Sequence, residues 1–153
     1  MSDIRLVAQT EKAKQKFVRL IEKVDDISPV FKEFLNEYKE IIAQNFESRG
    51  KIMERERWAQ YSPGYLKWKQ KNYPGKPMLE ITGDLKNAAL NFQSVVGAKT
   101  LVMKVEGADY FFYVQERKTN PRHYFNTKDD DLPIQAWRIL IERTENFLME
   151  GME

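Results

Sequence analysis

One stretch constrains this chain more than any other. Phe31, Phe34, Leu35, Tyr38, Ile41, Ile42 and Phe46 recur at three- and four-residue spacing, so they line one side of a long helix. Ser28 is expected to cap its start, Pro29 costs nothing in the first turn, and Gly50 is the expected stop. A stripe this apolar needs other elements to cover it, so the remaining chain must supply a body around this helix.

Upstream, Ile4, Leu6 and Val7 suggest a short strand, followed by a helix from about Thr10 to Val24. Its apolar positions Ala13, Phe17, Leu20, Ile21 and Val24 recur at three and four residues. Downstream, residues 50–78 read as a long loop broken by Pro63-Gly64 and Pro74-Gly75, with one short helix near Tyr65 to Lys71. A helix capped by Thr82 should follow Gly83 and run to about Phe92, with Asp84 favourable at its positive end. The segments 94–96 and 100–105 flank Gly97-Ala98-Lys99 as a β-hairpin, with Leu101, Met103 and Val105 on one face. Tyr110 to Val114 is ambiguous between strand and buried helix. Asp131 is the expected cap of a last helix, Leu132 to about Met149, whose stripe Ile134, Trp137, Leu140, Ile141 and Leu148 should face the core. The expected fold class is α+β: a small antiparallel sheet flanked by the long helix of the N-terminal half and by the C-terminal helix. Residues 1–153 are expected to form one domain, with residues 1–27 as a helical extension.

The chain has 153 residues and no cysteine, which removes disulfides and thiolate metal sites. No signal-like apolar segment opens it, and no run of apolar residues approaches membrane-spanning length. The net charge of +2 is unevenly spread: residues 51–91 hold 8 basic and 4 acidic side chains, and residues 92–153 hold 8 and 10. A basic middle and an acidic end suit nucleic acid, or copies of one chain meeting head to tail. Catalytic chemistry finds little footing. His123 has no second histidine or cysteine to share a metal, and a structural role is expected for it. Asp129-Asp130-Asp131 lacks the spacing of a calcium loop and reads as a solvated helix cap. Tyr65 to Tyr73 interleaves aromatics with Lys67, Lys69 and Lys71, as single-strand nucleic-acid grooves do. The alternative is an amphipathic helix with Tyr65 and Trp68 packed inward and its lysines in water.

The middle of the chain reads Trp58-Ala59-Gln60-Tyr61-Ser62-Pro63, then Tyr65 and Lys69, then Met78-Leu79-Glu80-Ile81-Thr82-Gly83-Asp84-Leu85. In order and spacing this series resembles the bacteriophage virion-morphogenesis, or tail-completion, family. Tyr110 with Gln115, and Pro121-Arg122 with Phe125, are similar to later stations of that family, while Phe111, Val114 and Glu116-Arg117 depart from its usual Ala, His and Gly. The likeness runs over roughly residues 30 to 145. It implies a structural protein without catalytic residues or cofactor, made in the host cytoplasm from a phage or prophage gene. Such a protein resides in the tail or neck of the virion. Its implied partners are further copies of itself in a ring and neck, connector or tail-tube proteins, with a passing contact with DNA and none with a membrane. Trp58, Tyr65, Leu79, Thr82, Gly83, Leu85, Tyr110, Gln115 and Phe125 are its expected structural stations. Lys67, Lys69, Lys71, Lys76 and Arg122 are the candidate interface residues, Arg122 pairing with the Asp129 to Asp131 run within a chain or between subunits. The other reading is a small nucleic-acid-binding module that uses residues 65–76.

Overall fold

The computed structural model describes residues 2–106, 114 and 121–150. Its axis is the expected long helix, here α2 (Ser28–Glu47), which buries Val30, Phe31, Phe34, Tyr38, Ile41, Ile42 and Phe46. Ser28 is not the cap but the first helical residue. The carboxylate of Asp26 accepts its backbone N–H at 3.0 Å, and hydrogen bonds from Ser28 hold that carboxyl below the usual aspartate range. The Tyr38 ring meets Phe34, Phe92 and Phe125 at centroid distances of 5.5, 6.0 and 5.9 Å, and its hydroxyl donates to the Phe125 carbonyl at 2.6 Å. One aromatic thus joins three segments of the chain.

Before α2 lies α1 (Ser2–Asp25), a single helix of 24 residues. The strand expected at Ile4, Leu6 and Val7 is absent: residues 2–25 contain neither Gly nor Pro, so the helix continues through them. After α2, Gly50 turns the chain at φ 94° into the short α3 (Lys51–Glu54), which the sequence pattern does not announce. The rest of the connection carries α4 (Pro63–Asn72), with Ser62 as its cap. Next, α5 (Asp84–Leu90) starts from Gly83 at φ 82°, and the Thr82 hydroxyl accepts the Asp84 N–H at 3.4 Å, so Gly83 rather than Thr82 holds the cap position.

The sheet is the expected hairpin. Strands β1 (Gln93–Val96) and β2 (Leu101–Lys104) pair antiparallel, Val95 opposite Val102, around a turn that includes Thr100 and is closed by the Gly97 N–H donating to the Thr100 carbonyl at 2.8 Å. Leu101, Met103 and Val105 pack together against the core. The chain ends on α6 (Ile134–Met149), which starts two residues later than expected, after Pro133. It lies antiparallel to α2, as the pairs Gln135–Gln44 and Arg143–Glu37 show. β1, α5 and α6 all contact α2, which gives a small α+β fold of six helices and one two-stranded antiparallel sheet among the described residues. None of its described helices is long and apolar enough to cross a membrane.

The last helix is rotated partly away from expectation. α6 turns Ala136, Ile139 and Leu140 inward, while Trp137 and Ile141 are 42% and 53% exposed and Ile134 also faces out. Apolar residues occupy both sides of α6, and the small Ala136, with the Arg143–Glu37 pair, decides which side approaches α2. On α1 every residue from 11 to 19 is exposed, and Phe17 and Ile21 are 64% and 60% exposed. The apolar stripe of α1 is therefore largely on the surface.

A candidate assembly interface

The candidate site is best built from α4. Tyr65 N–H reaches the Ser62 hydroxyl at 3.4 Å and Pro63 occupies the first turn, so the helix starts where the sequence suggests. Its packing is inverted, however. Lys69 is the buried residue of α4, only 8% exposed, while Tyr65, Trp68 and Tyr73 are half-exposed. The ammonium of Lys69 donates to the Lys76 carbonyl and sits 5.9 Å from the Tyr61 ring, tying the end of α4 to the turn that follows. Outside, Tyr61, Tyr65, Trp68 and Tyr73 form a continuous row with successive centroid distances of 4.7, 5.4 and 5.6 Å. Lys67, Lys71 and Lys76 are exposed around it. From Arg57 to Leu79 there is no acidic residue, so this face carries one sign of charge.

Arg122 does not belong to that exposed set. It is 4% exposed, its guanidinium lies 4.8 Å from the Tyr61 ring, and Nη2 donates to the Ala59 carbonyl at 3.0 Å. Lys69 and Arg122 thus both pack on Tyr61, whose hydroxyl accepts the Leu79 N–H at 3.0 Å. Their expected interface role is corrected to an internal one: they brace the loop from within. Lys67, Lys71 and Lys76 are the candidate interface cations that the structure leaves on the surface.

The structural stations converge. Trp58 is buried edge-on against Phe46 at 5.5 Å, Leu85 and Phe125 lie in the same core cluster, and Leu79 packs against it. Thr82 and Gly83 form the turn into α5, and Tyr65 stands in the exposed row. Tyr110 and Gln115 lie outside the described residues, as does the Tyr110 to Val114 segment except for Val114, which is buried.

His123 is buried in a structural role. Its backbone N–H donates to Glu54 Oε1 at 2.8 Å and its Nδ1 lies 2.9 Å from the same oxygen. Its carbonyl accepts Trp58 Nε1 at 3.0 Å and Asn45 Nδ2 at 3.1 Å, while Asn45 Oδ1 accepts the Met53 N–H at 3.0 Å. Asn45, missed in the sequence reading, is therefore the polar pin of the core; the signal was an amide beside Phe46 in an otherwise apolar arc of α2. Among the described residues no group of three or more His, Cys, Asp or Glu side chains is placed to hold a metal. Asp131, the expected cap of the last helix, instead accepts the Leu132 N–H at 2.7 Å and the Trp137 Nε1 at 3.1 Å.

The second surface is apolar. Among the described residues, α1 is fastened near its end: Lys23 donates to the Phe147 carbonyl at 2.7 Å and to the Glu150 carbonyl, and Asp25 pairs with Lys99 at 3.0 Å. A cation on the last carbonyls of α6 is favourable for that helix end. From this anchor the helix projects with Phe17, Val18, Ile21 and Val24 exposed. Comparison with protein-family models, curated proteins and solved structures finds no match for this chain.

Proposed function

We propose that this chain is a structural virion-morphogenesis subunit of the tail-completion type, which acts without catalysis in a homo-oligomeric ring that completes a bacteriophage tail or joins it to the head. The observation that carries the reading is the pair of exposed apolar stripes on α1 and α6. Side chains such as Phe17, Ile21, Ile134 and Ile141 gain stability when removed from water, and contiguous exposed apolar surface marks interaction sites. The order of stations from Trp58 to Phe125 gives the reading its phage character, and the convergence of Trp58, Leu79, Leu85 and Phe125 on one core fits stations that hold a fold. The basic row on α4 then faces a neighbouring subunit or a neck, connector or tail-tube protein.

Disrupting the gene in the encoding phage tests this directly. Electron microscopy should find filled heads and tails that fail to join or tails left incomplete, and normal infectious particles would overturn the proposal. A second reading is supported by the acid-free, aromatic α4 face: a nucleic-acid-binding module that stacks single-stranded bases on Tyr65, Trp68 and Tyr73. Its mark would be affinity for an oligonucleotide that falls steeply with salt, in a protein that stays monomeric.

A further inference from the structure

We infer that α1 of one copy packs its apolar stripe onto the exposed stripe of α6 in the next copy, making a heterologous, head-to-tail contact. The inference rests on the ring reading and adds which surfaces meet. Four observations carry it. First, α1 is anchored by Lys23 at the C-terminal end of its own α6 and every residue from 11 to 19 is exposed, so its stripe is presented outward, within reach of another molecule. Second, the two stripes match in period and length. Ala13, Phe17, Leu20 and Val24 alternate four, three and four residues apart over about 17 Å of helix. Ile134, Trp137 and Ile141 stand three and four residues apart, and the partly exposed Leu148 follows two turns later, which extends the stripe to about 21 Å.

Third, the charges favour this pairing over α1 with α1. Residues 11–25 carry Lys12, Lys14, Lys16, Arg19 and Lys23 against Glu11, Glu22 and Asp25, so two such helices side by side bring like charge together. On α6, Arg143 is engaged by Glu33 and Glu37 of its own chain, which leaves Arg138 against Glu142 and Glu145. A basic helix on an acidic one gains from both terms. Fourth, a helix as exposed as α1 draws little support from tertiary packing, and a partner helix supplies it. Donor and acceptor are different surfaces of the same chain, so the contact repeats from copy to copy and closes into a ring when the rotation allows.

Two full-length variants test this. Phe17→Glu with Ile21→Glu blinds α1, and Ile134→Glu with Ile141→Glu blinds α6; all four side chains are exposed, so circular dichroism melts should stay close to wild type. Analytical ultracentrifugation of the wild type should show mass rising with concentration, and each variant alone should weaken that association at least about a hundredfold. Mixed one to one, the variants keep one intact α1 and one intact α6 between them, so they should form a dimer that grows no further. An α6-blind variant that still dimerises alone would mean α1 pairs with itself, and a mixture that stays monomeric would mean the contact is not heterologous; either overturns the inference. Wild-type rings that both variants still form would sink it while leaving the ring reading standing. A wild type that stays monomeric to about 1 mM counts against both.

Discussion

At the scale of single residues, what the fold tolerates follows from what each side chain touches. Gly50 combines φ 94° with the Trp58 ring: a Cβ there would lie 2.3 Å from Trp58 Cδ1. Gly50→Ala should therefore cost about 2–4 kcal/mol in urea unfolding, through strain and displacement of a core aromatic. Gly64, in the first turn of α4, has open space where its Cβ would stand, so Gly64→Ala should be neutral or stabilise by up to about 1 kcal/mol. Equal losses at the two sites would refute this account of Gly50. Tyr38 gives the pH prediction. Burial, with the Asp131 charge adding to it, holds its phenol well above the ordinary tyrosine range. The unfolded chain then releases this proton first, near pH 10, so stability is intact below that and falls as pH rises further, by up to about 1.4 kcal/mol per unit. Alkaline denaturation should be blunted in Tyr38→Phe, which at neutral pH loses about 1–2 kcal/mol with the hydrogen bond to Phe125. An identical alkaline slope in that variant would remove Tyr38 as the cause. Of these features the sequence made Gly50 and the burial of Tyr38 legible; the inversion of Lys69 and Trp68 was not, because the ten residues of α4 carry too weak an apolar pattern to say which side faces in.

At the scale of elements, legibility tracked how many signals agreed. α2 has a break before it, a glycine after it and a stripe on one side only, and apart from its cap, one residue earlier at Ile27 rather than Ser28, it came out as read. The hairpin at Gly97 did as well, its register held by Leu101 and Met103 against the core. The orientation of α1 and α6 could not be read, because an apolar period reports that a helix face is to be covered and not by whom. In α6 Leu140 packs against the core as read, but Ile134, Trp137 and Ile141 of the same expected stripe face out. This changes what Trp137 does: a buried tryptophan cut to alanine would cost about 3–5 kcal/mol, but this one is half-exposed, its indole N–H held by Asp131. Trp137→Ala should cost only about 1 kcal/mol of monomer stability while weakening self-association. Thermal melts at low protein concentration isolate the first effect, and a loss of 3 kcal/mol or more there would return Trp137 to the core.

For the whole molecule, the chain divides its work between an interior built around α2 and a surface of three interaction-prone regions: the α1 stripe, the α6 stripe and the basic row on α4. The last is separable by charge reversal. Lys67, Lys71 and Lys76 are exposed, so changing all three to Glu should alter unfolding free energy by no more than about 1 kcal/mol. Lys69 must be left in place, since its ammonium holds the Lys76 carbonyl inside the fold. If the α4 face meets an acidic neighbour in the particle, the triple variant should still self-associate through its helices but fail to enter virions, and second-site changes to basic residues in the neighbour should restore entry. If the face instead holds single-stranded nucleic acid, the variant should enter particles normally and lose oligonucleotide affinity together with most of its salt dependence. Normal particle yield with unchanged oligonucleotide binding would leave the row without either role and confine the function of the chain to its two apolar helices.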